Sequence, residues 1–500
     1  MTGVSIAKVA MDRNLTDGAI ALDLARAGAH AQGTARVDGI PIKLDATVPF
    51  RVRGGPRAIY RIGMTLDVEA RRRLGLEFDA RLTGPIGVDV TYSRFEAARA
   101  QAVANLDLRT AGLAIDEAGW KKSPDTPGTA KLVIDLDHDR ISQLSDVEVK
   151  SAGLDGRLAV AVSQDGKQIE RVDIRRMIAG DNEFSGTVTR HPGGGWHADI
   201  HATRIDGRKL IKEAASGSGP ASPIPLAVTA RIDRLILGPR QEIGQITGEL
   251  LRRGGVWQSA RLDGRLPNGH KLALRLGDAA SRQFNFETDD LGATLKLLGV
   301  ADNVVGGRLA ISGQLSGSAG AQNMQGHIEG ANYSVARAPV MARVLALPSF
   351  TGILSMLSGD GLPFGTLRGD FTLSGGRVTI KNLLAFGEAI GITASGWVDT
   401  ERNRLDLAGT VAPAYALNSL LGNIPLLGQL LVGGSQGMFA ANYHLSGSTD
   451  DPDVSVNPLS VLTPGILRQL FAPIVGFPAP QAEQQAVSPP AQPADAAAAR

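Results

Sequence analysis

Residues 371–381 read FTLSGGRVTIK, and this stretch decides the fold. Phe371, Leu373, Val378 and Ile380 fall on one face of two short strands, while Thr372, Thr379 and Lys381 fall on the other. The paired Gly375-Gly376 between them is a hairpin turn. The same unit recurs on both sides. KLALRL places Leu272, Leu274 and Leu276 on one face, RLAISG does the same with Leu309 and Ile311, and 404–411 repeats it with Leu405 and Leu407.

Working towards the amino terminus, 19–50 reads as three short strands separated by turns at Gly28 and Asp38-Gly39, with Gly54-Gly55 closing the third. Residues 67–74 (DVEARRRL) predict a short helix with an acidic start and a basic end, which suits its dipole. A second short helix is expected near 95–101. Strands then continue at 130–136, 157–162 and 184–189. In 157–162, Leu158, Val160 and Val162 oppose Ala159 and Ala161. In 196–201, Trp196, Ala198 and Ile200 oppose His197, Asp199 and His201. A small helix is expected at 208–215. The segment 216–225 (SGSGPASPIP) has the composition of a linker and marks the principal boundary. Beyond it, Asp290 is placed to N-cap a helix running to Leu298.

One face apolar and one polar, strand after strand, is the pattern of a sheet wet on one side. Gly is abundant (61) and aromatics are scarce (4%), so a thick closed core is a poor fit. The expected fold is mainly β: an elongated, twisted antiparallel sheet curled into an apolar groove, with a few short helices capping or interrupting it. Leu272, Leu274, Leu276, Leu309, Ile311, Phe371, Leu373, Val378, Ile380, Leu405 and Leu407 line that groove. Its open ends require a cap or a partner.

Two apolar helical stretches are the candidates for cap or membrane contact. The first starts at Pro339 with Val340, Met341, Val344 and Leu345, and resumes after Pro348 with Phe350, Ile353, Leu354 and Leu357. The second carries Leu417, Leu420, Leu421 and Ile424, extended by Leu427 and Leu431, and no charged residue occurs from 409 to 437. Neither is long enough to span a bilayer. A short helix is expected at 464–471, and 478–500 has almost nothing to bury and is expected to be disordered. The resulting division is 1–105, a β-rich segment; 106–215, a middle β segment; the linker 216–225; 226–477, with the helical stretches; and the tail 478–500.

Chemistry is hard to find. The net charge is +2, there is no cysteine, and no basic stripe interleaved with aromatics points to nucleic acid. Residues 433–437 (GGSQG) match the G-x-S-x-G pattern, but a helix precedes and a strand follows, the reverse of what that turn requires. His197, Asp199 and His201 share a strand face without a third anchor for a metal. Asp135, Asp137, His138 and Asp139 lack the order of a calcium loop. No catalytic residue, metal or cofactor is expected.

Several motifs carry a family likeness: VAPAYALNSLLGNIPLLGQLL (411–431), YHLSGSTDDPDVSVNPLSVLTPGILRQLF (443–471) and RAPVMARVLALPSFTGILSMLSGDGLPF (337–364). Upstream, AGLAIDEAGWKKSPDTPGTAKLVIDL (111–136) and TVTRHPGGGWHADIHATRIDGRKL (187–210) extend it. In this order they resemble the C-terminal region of AsmA-like proteins, the YhdP-type branch, from about 106 to 471. These are envelope proteins of Gram-negative bacteria. The resemblance implies a long twisted β-sheet whose groove guides phospholipid between the inner and outer membranes, on the periplasmic side. Its partners would be phospholipid acyl chains, a membrane surface and other envelope proteins. Such relatives begin with an inner-membrane anchor, and residues 1–18 show no apolar run of that kind. The alternative reading is a periplasmic scaffold for outer-membrane protein assembly, acting through exposed sheet edges. Co-purified lipid favours the first and binding of unfolded outer-membrane strands the second.

Overall fold

The FTLSGGRVTIK hairpin forms as read. In the computed structural model the strands Leu362–Ser374 and Arg377–Phe386 pair antiparallel, with Phe371 opposite Ile380 and Leu373 opposite Val378. Gly375 and Gly376 take φ of 53° and 74°, the left-handed conformation that a two-residue hairpin turn needs at both positions. The structure describes all residues except 11–12, 53, 77–80, 97, 167, 210–223, 278–281, 319–320, 347–350, 360, 414–439 and 460–500.

This hairpin belongs to one 26-stranded sheet that starts at Thr2–Ala10 and ends at Pro452–Leu459. Strands adjacent in the sheet follow one another in the chain, so the sheet is a ribbon that grows by adding hairpins and does not close into a barrel. At ~4.8 Å per strand its contour is about 120 Å. Three short strands, Leu82–Thr83, Gly112–Ile115 and Trp120–Lys122, stand apart as a small second sheet. One junction in the ribbon is parallel. Trp196–Asp206 pairs with Leu226–Gly238, Trp196 lying opposite Leu226, and the segment expected as a linker joins these two strands. The hydrogen-bonded sheet continues across it.

The ribbon has two long rims, formed by alternate ends of its strands, and they differ. One, the hairpin rim, carries short connections such as 137–140, 253–256 and 374–377. The other, the insertion rim, carries every described helix and the small sheet. The helix Val68–Arg73 is capped by Asp67, whose carboxylate accepts from the Ala70 N–H, and its basic last turn is as expected. Leu291–Leu297 is capped by Asp290 in the same way through Ala293. Pro339–Val344 and Thr351–Ser358 come next on the same rim.

The helix expected near 95–101 is not there. The chain turns, with Ala98 at φ 61°, and enters the strand Arg99–Asp107. Ala100, Ala102 and Ala104 are all buried on one face of that strand. Their period of two overrides alanine's intrinsic helix preference once the face is packed. The helices expected at 417–431 and 464–471, and most of 208–215, lie outside the described residues.

Buried polar side chains tie the insertions to the ribbon. Arg71 is fully buried and donates to the carbonyls of Leu66, Leu82 and Gly84, joining helix, ribbon and small sheet. Lys122, also buried, donates to the carbonyls of Arg109, Ala111 and Ser123. The Trp120 indole donates to Ala152 O, and Asn182 donates to Ala118 O and Ala179 O. Carbonyls in such places are costly to leave unpaired, so these four residues fix where the insertions sit. Because contacts run from each strand to its neighbours, small-angle scattering should give a radius of gyration well above the ~23 Å of a round domain of this length. A value near that figure would contradict the ribbon.

Candidate functional site

Paired residues on adjacent strands point to the same face, so the registers can be traced across the ribbon strand by strand. One line starts at Leu22 and runs through Ala31, Ala46, Tyr60 and Tyr92 to Ala102. It continues through Ile134, Leu144, Val160, Val172, Val188 and Ala198. It crosses the parallel junction to Val228, then passes Leu250, Ala260, Leu276 and Phe284. It ends through Gly313, Gly326, Phe371, Ile380, Gly396, Leu407, Leu445 and Val454. Every member is apolar, aromatic or glycine. A second line two residues along runs beside it, from Leu44 and Ile62 through Leu158, Ile174, Leu262 and Leu274 to Ile311 and Ile328.

All eleven residues expected to line a groove lie on this face. Leu276, Phe371, Ile380 and Leu407 share the first line, and Leu274 and Ile311 the second. Leu272 and Leu309 lie on a third, joined through Thr288. Leu373, Val378 and Leu405 lie on a fourth, joined through Val398. Leu309 and Phe371 are buried and the other nine are half-buried. A second layer of protein would cover such large side chains, so most of this face is left unoccupied by the described chain.

The opposite face is polar along the same path. Asp173, Thr187, Asp199, Thr229 and Glu249 are succeeded by Arg261, Arg275, Asn285, Ser312, His327, Asp370 and Lys381. Its charges pair locally, for example His327 Nδ1 with Asp370 Oδ1 at 2.9 Å, and such exposed pairs contribute little to stability.

Glycines on the apolar face matter where strands and aromatic rings approach closely. Phe284 lies opposite Gly313, Phe371 opposite Gly326, and Tyr443 opposite Gly409. A Cβ on Gly326 would meet Ser312 O at 2.4 Å and the Phe371 ring at 2.9 Å. The Tyr443 hydroxyl donates to Thr393 O at 2.7 Å, and burial pushes its pKa up to about 12.

Towards the carboxyl-terminal end of the ribbon the face is capped. The helix Pro339–Val344 reaches from the end of one strand, Ala321–Val335, across to Pro452–Leu459, and Arg343 pairs with Asp451 at 2.8 Å. Leu357 is buried in a cluster with Tyr333, Leu345, Phe364, Ile390 and Val411, and Ile353 and Leu354 pack against it. Of the residues expected at a cap or membrane, these three pack in or against this cluster. Phe350, Leu417, Leu420, Leu421, Ile424, Leu427 and Leu431 lie outside the described residues.

The candidate chemical motifs do not converge. His197, Asp199 and His201 are exposed on the polar face, with His201 Nε2 3.8 Å from Asp199 Oδ1. Burial acts to raise the Asp135 pKa, but hydrogen bonds from Gln101, Gln143 and Ser145 outweigh it and hold the carboxyl below the usual range. No cluster of metal-ligating residues occurs among the described residues. Residues 433–437 lie outside them. No described helix is long and apolar enough to cross a membrane. Of the apolar lines through the amino-terminal half, the sequence marks the members Leu158, Val160, Ala198 and Ile200 but not Leu22, Tyr60, Tyr92, Leu144 or Val172, which only the register joins to them.

Gly326→Val should destabilise the strands Val304–Ser318, Ala321–Val335 and Leu362–Ser374 by about 1–3 kcal/mol. Hydrogen exchange should show the loss there, with the strands before residue 200 unaffected.

A family model described as YhdP protein matches residues 134–454. No curated protein and no solved structure matches the chain. The match covers most of the ribbon, and the chain belongs to the YhdP family.

Proposed function

We propose that this YhdP-family chain, an envelope protein of the AsmA-like group, guides phospholipid along its apolar face without chemical conversion. The observation that carries the reading is the unbroken apolar line from Leu22 to Val454, lined by side chains that the described chain leaves half-covered. Acyl chains lying on it are shielded from water, each buried methylene contributing ~0.8 kcal/mol. Headgroups remain hydrated beyond the face. Because successive strands repeat one apolar surface, no single site binds much more tightly than the next, and a lipid slides instead of being trapped. The energy for net movement comes from outside this chain, and no cofactor takes part. Family membership supports an activity on the periplasmic side of the envelope, between the two membranes.

Photo-crosslinking tests the reading. A crosslinker at Leu373, on the apolar face, should capture lipid, and one at Thr372, on the polar face, should not. A second pair, Leu158 and Arg157, extends the test to the other half of the ribbon. Equal labelling of the two faces would sink the proposal.

A further inference from the structure

We propose that the first three loops of the hairpin rim form a docking surface for an anionic phospholipid bilayer. These loops connect Arg13–Ala25 to Gly28–Val37, Ile40–Pro49 to Ala58–Leu66, and Ile86–Arg94 to Arg99–Asp107. They stand side by side. The Phe50 N–H donates to Ala27 O and the Arg57 N–H to Arg94 O.

Two features coincide here. Leu22, Leu24 and Phe50 are exposed at 46%, 71% and 59%, three large apolar side chains in and beside these loops. Around them Arg26, Arg51, Arg94 and Arg99 are exposed and make no ion pair among the described residues. A fifth arginine, Arg57, pairs with Glu96 at 2.6 Å, the one acidic side chain in these loops. Further along the same rim two turns carry mixed charges, Asp137 and Asp139 with Arg140, and Asp399 and Glu401 with Arg402 and Arg404, while the turn 252–255 carries Arg252 and Arg253 with no acidic side chain. In the first three loops four exposed arginines stand together with three exposed large apolar side chains.

That pairing fits a lipid surface carrying phosphates in excess of positive charge. Guanidinium groups hold phosphate oxygens in bidentate fashion. Leucine and phenylalanine on the same edge enter the acyl boundary, as on interfacial segments. Leu22 is both a docking residue and a member of the longest apolar line, so a bilayer seated here touches that face. Only that last consequence rests on the lipid-guiding reading. The docking stands or falls separately.

The test uses the whole chain with the substitutions Arg26→Gln, Arg51→Gln, Arg94→Gln and Arg99→Gln, leaving Arg57–Glu96 intact. Co-sedimentation is measured with vesicles of phosphatidylcholine plus phosphatidylglycerol and with phosphatidylcholine alone. The unaltered chain should prefer the anionic vesicles, and the preference should fade at ~1 M salt, where the Debye length falls to ~3 Å. Each arginine near such a surface is worth about fivefold, so the variant should lose at least ~100-fold in anionic binding. Leu24→Ser with Phe50→Ser should remove the salt-resistant remainder. Undiminished binding of the arginine variant to anionic vesicles would overturn the proposal, as would equal binding of the unaltered chain to vesicles containing a cationic lipid. Crosslinking at Leu373 with detergent-dispersed lipid separates the two ideas: retained capture with lost vesicle binding leaves the groove standing, and lost capture with retained vesicle binding leaves the docking standing.

Discussion

Cross-strand register is the constraint on which the rest of this molecule depends. Each strand has a period of two, so a slip of one residue would move its whole apolar set to the polar face. The described sheet keeps one face apolar from the strand Arg13–Ala25 to the strand Pro452–Leu459 and through many bulges, including those beside Ile174 and Gly369. A bulge adds a residue and re-aims the rest of its strand, yet pairings such as Val172 with Val188 and Phe371 with Ile380 resume on the original face. The short hairpin turns set the phase of each new strand.

A ribbon built this way stores little of its stability in any one place. Its buried clusters are several and local: one around Ile40, Leu66 and Leu108, another around Trp120, Leu154 and Ala179, and the largest around Tyr333, Leu357 and Ile390. These three lie where an insertion folds back on the sheet, while a smaller one, Ala100, Ala102 and Leu136, lies beside the hairpin rim. Between them the apolar face depends on backbone hydrogen bonds and on cross-strand neighbours, and most of its side chains stay only half-buried. The cost of that exposure in water is the physical reason such a face invites an apolar ligand.

Much of this was legible in the sequence, for definite reasons. Phe371, Leu373, Val378 and Ile380 alternate around two glycines, and hydropathic alternation reports faces directly. Asp67 and Asp290 announced their helices because a capping carboxylate is a local signal. The helix expected near 95–101 overlaps the start of the strand Arg99–Asp107, because alanine is consistent with either period and only packing decides. Gly186, Gly313 and Gly326 were invisible as parts of the apolar face, since glycine carries no hydropathy and its role here is set by the partner strand. Arg71 and Lys122, which anchor the insertions, read as ordinary charged residues because their partners are backbone carbonyls, which no side-chain pattern marks.

The parallel junction between Trp196–Asp206 and Leu226–Gly238 has an effect on parity. In a run of hairpins, connections alternate strictly between the two rims. Had this junction been one more hairpin, every later connection would have changed sides. The stretches holding Leu291–Leu297, Pro339–Val344 and Thr351–Ser358 would then open on the rim opposite Val68–Arg73. The single reversal restores the count. It lets two unequal lengths of ribbon share one obstructed border and one clear border, so that the clear one continues from Arg26 to Glu401.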